Sequence, residues 1–268
     1  MHILVTNDDG IDSPGLWALA GALRSAGLGT VTVVAPEQEQ SGMSMALPPR
    51  RDLTLRAVPP PDPAHAGIAA FAFNGTPVGC VMAGVLAELG PAPDVVVAGI
   101  NRGLNSGTNV LLSGTVGAAM LGALWGRPAM AVSQMFVGDN PMPWATAAWA
   151  AVRVFPLLEL LRGRQLVLNL NVPHLHTPAE LRGFRQTELS NFFYGSVVEV
   201  DLEPEPGDAD GRRRLNFRFL RERVPEFPEH TDDGAVRAGY ASLTVLAPTG
   251  MAANLDLSAA LAGLDGRR

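Results

Sequence analysis

Continuous apolar runs alternate with helix-like stretches through the first two-thirds of the chain, and this alternation restricts the fold more than any other feature. Because the runs are apolar at nearly every position, they indicate strands buried on both faces. Such strands occur in parallel sheets covered by helices, so the sequence predicts an α/β, Rossmann-like, doubly wound, mostly parallel sheet with right-handed crossovers. The predicted strands are Ile3–Thr6, Val31–Ala35, Val95–Ala98, Ala129–Ser133 and Leu166–Leu170, and the predicted helices are Gly15–Ser25, Val78–Leu89, Val116–Trp125 and Trp144–Leu161.

The pattern changes after about residue 185. Two β-type segments, Ser196–Leu202 and Leu215–Leu220, flank a charged tip and predict a long hairpin. A projecting hairpin is only marginally stable alone, so we expect it to pack on another subunit and to build a homodimer or homotetramer. The alternative is a hairpin folded back on its own core. The predicted organisation is a core over 1–185, a hairpin arm with a return strand (Tyr240–Leu246) over 186–246, and a C-terminal tail helix over 247–268.

Composition excludes several classes of function. The chain has 268 residues and a formal charge of −6, contains no lysine, and has Cys80 as its only cysteine. The missing lysine excludes Schiff-base and Walker A chemistry, and a single cysteine excludes a thiolate-rich metal site. The acidic charge argues against a stable nucleic-acid complex. Since neither a signal peptide nor a membrane span is indicated, we expect a cytoplasmic protein with no membrane partner.

Oxygen-bearing side chains fill the loops that follow three predicted strands. In parallel sheets, ligands bind outside the carboxyl ends of the strands. The loops are Asn7–Gly10, Pro36–Ser44 and Gly99–Asn105. The adjacent carboxylates of Asp8 and Asp9 repel each other unless an opposite charge compensates, and hard oxygen ligands suit Mg²⁺, Mn²⁺ or Ca²⁺ rather than Zn²⁺. The alternative is an Asx-turn that caps the first helix.

A second motif, Ser113-Gly114-Thr115, stands directly before an Ala- and Gly-rich helix. Free backbone N–H groups, two hydroxyls and the positive end of a helix dipole meet there, which is typical of an anion-binding turn. The alternative is an ordinary helix N-cap. A hard-cation pocket beside such a turn favours phosphoryl chemistry.

These motifs resemble those of the SurE family of survival-protein nucleotidases. The resemblance rests on 5–15, 40–44, 98–120 and 231–244, and spans the chain from Met1 to about Leu246. It implies a divalent-metal-dependent phosphatase that acts on nucleoside 5′- and 3′-monophosphates. It also implies a Rossmann-like core and a C-terminal hairpin that helps to build dimers or tetramers.

The resemblance further implies the residues of the site. One Mg²⁺ or Mn²⁺ per subunit is expected, and Asp8 is our choice for the residue that positions or deprotonates the attacking water. A purely coordinating role and direct attack by the carboxylate are the alternatives. The implied metal ligands are Asp8, Asp9, Ser41 and Asn101, and the implied substrate-binding residues are Asn7, Gly42, Asn105, Ser113, Gly114 and Thr115.

Two positions depart from the family pattern. The pair Asp233–Gly234 stands where an aromatic residue is frequent, and Val245 where proline is frequent. We expect both to lie away from the metal loops. A nucleotide-sensing module without hydrolysis is the main alternative function. A dinucleotide-dependent oxidoreductase is disfavoured because the first strand leads into two carboxylates rather than Gly-x-Gly-x-x-Gly.

Overall fold

The computed structural model describes residues 1–49, 51–204 and 213–249, so the predicted tail helix falls, apart from its first three residues, outside the described residues. Within them, the helices are α1 (Pro14–Ser25), α2 (Pro77–Leu86), α3 (Gly114–Leu124), α4 (Trp144–Val154) and α5 (Asp232–Arg237). The strands are β1 (His2–Thr6), β2 (Thr30–Pro36), β3 (Leu55–Ala57), β4 (Ala69–Phe73), β5 (Val95–Arg102), β6 (Ala129–Gln134), β7 (Val167–Val172), β8 (Phe184–Gln186), β9 (Val198–Pro204), β10 (Arg213–Phe219) and β11 (Ala241–Leu246).

Nine of these strands form one mostly parallel sheet in the order β3-β4-β2-β1-β5-β6-β7-β11-β8. The chain runs from β1 to its neighbour β2, and after β4 and α2 it returns to β5 on the other side of β1. Strand order therefore reverses between β1 and β5, and a crevice opens at the carboxyl ends of such strands. This arrangement confirms the Rossmann-like, doubly wound prediction.

The sheet is buried on both faces, as its continuous apolar strands predict. Successive side chains of a strand point to opposite faces, so Ile3 and Val5 pack in the core layer of α1 and α4, whereas Leu4 packs in the layer of α2 and α3. Cys80 lies fully buried in α2, and burial raises the pKa of its thiol, so it behaves as a small core residue.

The segment Trp144–Leu161 is the described stretch whose length and mean hydropathy of 1.3 would suffice for a membrane span, yet half of it is buried inside the fold. The sequence predicted one continuous helix here, and this prediction is wrong, because α4 ends at Val154 and a 3₁₀ segment follows from Phe155 to Leu161. Pro156 lacks the N–H that would continue the α-helix. We read the segment as a core element packed on α1.

Parts of the sheet depart from the sequence pattern, and strands β3, β4 and β8 were not predicted from it. Strand β4 has the sequence Ala-Ala-Phe-Ala-Phe and was not predicted, because alanine is a poor strand former. It pairs with β2 and extends the sheet on that side. The return strand, β11, pairs antiparallel with β7 and so lies in the central sheet.

Strands β9 and β10 pair antiparallel and form the predicted C-terminal hairpin, which we call the arm. Its two faces differ in chemistry. One face carries exposed apolar side chains, including Val200 and Phe217, which lie opposite each other. The other face carries ion pairs such as Arg218 with Glu199, at 2.7 Å.

Candidate active site

The adjacent carboxylates Asp8 and Asp9 follow β1 at the reversal point of the sheet. Asp8 is buried and Asp9 is half-buried. Helix α1 begins at Pro14 and has Ser13 as its N-cap residue, so neither aspartate caps it. The capping alternative is therefore wrong.

Asn7 shapes the turn that holds these carboxylates. Its buried side chain donates from Nδ2 to the carbonyl oxygen of Gly10 at 2.9 Å. Gly10 has a φ of +97°, a conformation that favours glycine. The backbone N–H of Gln40 donates to the carbonyl oxygen of Asp8 at 2.7 Å, which joins the second loop to the first.

Asp8 lies against the beginning of α3. The Thr115 hydroxyl donates to its carboxylate, and the backbone N–H groups of Gly114 and Thr115 favour its charged form. A Cβ atom on Gly114 would lie 2.9 Å from the Cβ of Asp8, so only glycine fits there. Ser113 is the N-cap of α3, as the capping alternative expected, and its Oγ accepts from the N–H of Val116 at 3.0 Å. The turn predicted to bind an anion thus lies next to the paired carboxylates.

Both carboxyls are poorly compensated without a cation. Burial raises the pKa of Asp8, although the hydrogen bond from Thr115 and the backbone N–H groups lower it. Burial first, and the charge of Asp8 second, raise the pKa of Asp9 to about 7. A cation at this point would relieve both effects, because it stabilises the charged forms.

Strand β5 extends to Arg102, so residues 99–102 of the predicted third loop lie in the strand, and the backbone N–H of Arg102 donates to Oδ2 of Asp9 at 3.4 Å. Its neighbour Asn101 is half-buried and donates from Nδ2 to the carbonyl oxygen of Gly103 at 2.8 Å. This bond fixes the amide so that Oδ1 is the atom left to bind a cation.

The other predicted residues have distinct places. Ser41 and Gly42 lie in the exposed part of the second loop, where the Ser41 hydroxyl donates to Oε1 of Glu39 at 2.8 Å. Asn105 is buried and donates from Nδ2 to Oγ of Ser133 at 2.9 Å. Its carbonyl oxygen accepts from the amides of Asn169 and Asn171, so Asn105 anchors the third loop to β7.

Two features near the site were missed by sequence reasoning. The guanidinium of Arg102 lies over the ring of Phe136, 4.9 Å from its centroid, and the positive charge of Arg102 offsets a small part of the rise in the pKa of Asp9 that burial causes. Arg102 could have been found from the sequence, because it directly follows the predicted ligand Asn101. Phe136 lies in a different loop, so no local pattern connects it with the site. Asp233 was expected to lie away from the metal loops, yet it accepts from the hydroxyl of Ser106, the residue after the third loop, at 2.9 Å.

The donor set fits a hard cation. In the part of the chain that the structure describes, no group of three or more His, Cys, Asp or Glu side chains could hold a metal ion. The predicted ligands are instead carboxylate, hydroxyl and amide oxygens, which are preferred by Mg²⁺ and Mn²⁺, although the Ser41 hydroxyl bonds Glu39 in this structure.

Comparisons with known proteins give a consistent result. The family model described as Survival protein SurE matches residues 3–196. The chain is 41% identical to the 5′-nucleotidase SurE of Geobacter sulfurreducens over 249 residues, covering 92% of this chain and 87% of that protein. It is 44% identical to the 5′-nucleotidase SurE of Methylococcus capsulatus over 208 residues, 76% of each chain. The crystal structure of the SurE protein from Aquifex aeolicus superimposes with a TM-score of 0.75 at 30% identity, covering 99% of this chain and 100% of that chain.

Proposed function

Because the chain belongs to the SurE family of survival proteins, we propose that it is a nucleotidase that hydrolyses nucleoside 5′- and 3′-monophosphates to nucleoside and phosphate. The observation that carries this proposal is the contact of Asp8 with Gly114 and Thr115. It joins paired carboxylates to the N-terminus of a helix, the combination that suits a cation and a phosphate at one point.

We expect one Mg²⁺ or Mn²⁺ per subunit, held by Asp8, Asp9, Ser41 and Asn101. The raised pKa values of both aspartates and the all-oxygen donor set support this expectation. When bound, the cation would neutralise the carboxylates and polarise the phosphate ester.

Residues of the chain itself would bind the phosphate and activate the attacking water. Ser113, Gly114 and Thr115 would bind non-bridging phosphate oxygens at the start of α3, where the helix dipole stabilises negative charge. Asn7, Gly42 and Asn105 would shape the loops around the substrate. Asp8 would orient a water for in-line attack on phosphorus and accept its proton, while the ester P–O bond breaks and the leaving alkoxide takes a proton from solvent water.

A phosphatase assay tests the proposal directly. Nucleoside 5′- and 3′-monophosphates are incubated with the full chain and Mg²⁺ or Mn²⁺, with and without EDTA, and released phosphate is measured. We expect release that EDTA abolishes and that added Mn²⁺ or Mg²⁺ restores. Tight nucleotide binding without phosphate release would favour the nucleotide-sensing alternative.

We also propose that the arm builds a homodimer or homotetramer. Its apolar face exposes Val200, Leu202, Leu215, Phe217 and Phe219, each by between 44% and 71%. Exposed apolar area of this kind, beside a charged opposite face, is typical of a surface that another subunit covers.

The net charge and the proposed substrates indicate which partners the protein has and where it acts. The formal charge of −6 argues against a stable nucleic-acid complex, although it does not prevent binding of a small anion at a local site. We expect the protein to act in the cytoplasm, where nucleoside monophosphates are its substrates. Fractionation followed by immunodetection would check this placement.

A further inference from the structure

Asp232 and Asp233, at the beginning of α5, are buried acids that the proposed mechanism does not use. The two residues are 0% and 4% exposed. Among the described residues, no arginine or histidine forms a salt bridge with either of them. A buried carboxylate without a cation is stable only where several hydrogen bonds satisfy it.

Those hydrogen bonds come from two separate segments of the chain. On one side, Ser106 donates its hydroxyl to Oδ1 of Asp233 at 2.9 Å, and Gly107 donates its backbone N–H to Oδ2 of Asp232 at 2.8 Å. On the other side, Ser190 donates its hydroxyl to Oδ2 of Asp233 at 2.6 Å and its backbone N–H to Oδ1 of Asp232 at 2.9 Å. The two acids therefore clamp both segments together.

The Ser106 side of the clamp leads to the active site. Gly107 begins a 3₁₀ segment that ends at Leu112, and the next residue, Ser113, is the N-cap of α3. Gly114 and Thr115 then contact Asp8. The position of the turn relative to Asp8 thus depends on where this segment is held.

The Ser190 side leads to the base of the arm. The carbonyl oxygen of Phe192 accepts from the hydroxyl of Thr108 at 3.0 Å, and the backbone N–H of Tyr194 donates to Oδ1 of Asn109 at 2.8 Å. A Cβ atom on Gly107 would lie 2.6 Å from Oγ of Ser190, so the two segments are in close contact.

We propose that Asp232 and Asp233 are positioning residues, which act through Ser106 and Gly107 to hold the turn at Gly114 and Thr115 against Asp8. The catalytic consequence of this inference rests on the proposed nucleotidase function. The acids do not contact the substrate. They fix a segment whose displacement by about 1 Å would lower the rate by about 100-fold.

Ser106→Ala and Ser190→Ala form a matched pair that tests the proposal. Each variant removes one hydroxyl donor from Asp233, but only Ser106→Ala removes a contact of the segment that leads to the turn. In the full chain with Mn²⁺, we expect Ser106→Ala to lower kcat/KM for a nucleoside monophosphate by about tenfold or more. Ser190→Ala should lower it by less than about threefold, with a similar fall in Tm for both variants.

Conservative replacement adds a second comparison. Asp233→Ala removes both acceptors, whereas the amide of Asp233→Asn can accept from one serine and donate to the other. We expect Asp233→Asn to recover most of the kcat/KM that Asp233→Ala loses. Equal activity losses in Ser106→Ala and Ser190→Ala, or losses that follow Tm alone across the four variants, would overturn the proposal.

Hydrogen exchange gives a readout that does not depend on activity. Ser106→Ala should speed amide exchange across residues 107–115, and Ser190→Ala should speed it across 190–197 instead. Unchanged exchange at 107–115 in Ser106→Ala would refute the positioning role. If the wild-type chain released no phosphate, the proposed function would fail, while the exchange data would still decide whether the acids hold the turn.

Discussion

At the scale of single residues, Asp8 makes two kinds of contact that separate its structural role from its chemical one. Its backbone carbonyl oxygen accepts from Gln40, whereas its carboxylate faces Gly114 and Thr115. Changing the side chain alone therefore leaves the link between the first two loops in place.

Asp8→Asn should lower turnover of a nucleoside monophosphate by about 100-fold or more, because the amide cannot accept the proton of the attacking water. The amide keeps the size of the carboxyl and can still accept from Thr115. Circular dichroism and thermal melting should show an intact fold. A near-wild-type rate at saturating Mn²⁺ would make the assignment of Asp8 wrong.

Asp9 should make the metal-free protein less stable as the pH rises. The pKa of Asp9 is raised to about 7 in the folded protein, chiefly by burial. In the unfolded chain the pKa returns to about 4, so between these values only the folded state holds the proton. The free energy of unfolding of the metal-free protein therefore falls from about pH 4 to about pH 7 through this group.

Asp9→Asn should remove that loss and raise the Tm of the EDTA-treated protein at pH 8 by about 5 °C or more. The same variant should lose most of the Tm increase that Mn²⁺ gives the wild-type chain. Calorimetry at pH 5 and pH 8, with EDTA and with Mn²⁺, measures both effects. A metal-free Asp9→Asn protein that is less stable than wild type at pH 8 would contradict this account.

At the scale of elements, helix α3 serves both the fold and the site. Gly114 approaches Asp8, while Gly122 on the same helix packs against Val96 of β5, where an added Cβ atom would lie 2.7 Å from the Cβ of valine. An added methyl group would therefore clash at both ends of the helix, with Asp8 at one end and with Val96 in the core at the other.

Gly114→Ala should displace Asp8 and lower kcat/KM by about tenfold or more, with only a modest fall in Tm. Gly122→Ala is the control, since its added methyl group enters the core and should lower Tm with little selective effect on the remaining folded enzyme. Phosphate release, normalised to the folded fraction, distinguishes the two. Similar normalised activities in both variants would show that the close approach at Gly114 has no catalytic importance.

At the scale of the whole molecule, the sequence predicted the parts whose signals are local. The apolar runs placed β1 and the beginning of β5, but β5 continues to Arg102 through residues that were predicted as the start of the third loop. Asn7–Gly10 and Ser113–Thr115 fell at the ends of elements as expected. Strand β4 was missed because its alanines carry little strand signal. The contact between Ser106 and Asp233 was missed because 127 positions separate them, and no spacing rule reports such a pair.

The same limit applies to Ser41, which the sequence assigns to the metal through a family resemblance. In the structure its hydroxyl donates to Glu39 instead of contacting either aspartate. Its assignment depends on how the exposed second loop rearranges around a cation, which local sequence patterns do not report. The ligand role of Ser41 therefore stays a prediction.

The arm should set the size of the assembly. Phe217 is 71% exposed on the apolar face of the arm, and the neighbouring Asn216 lies on the charged face, opposite Asp201. Phe217→Arg should shift the protein towards the monomer in light scattering after size exclusion, because an unpaired charge in an apolar interface opposes association. Asn216→Arg introduces the same residue on the solvated face and should leave the mass unchanged. A monomeric wild-type chain, or a Phe217→Arg protein of unaltered mass, would rule out assembly through this face.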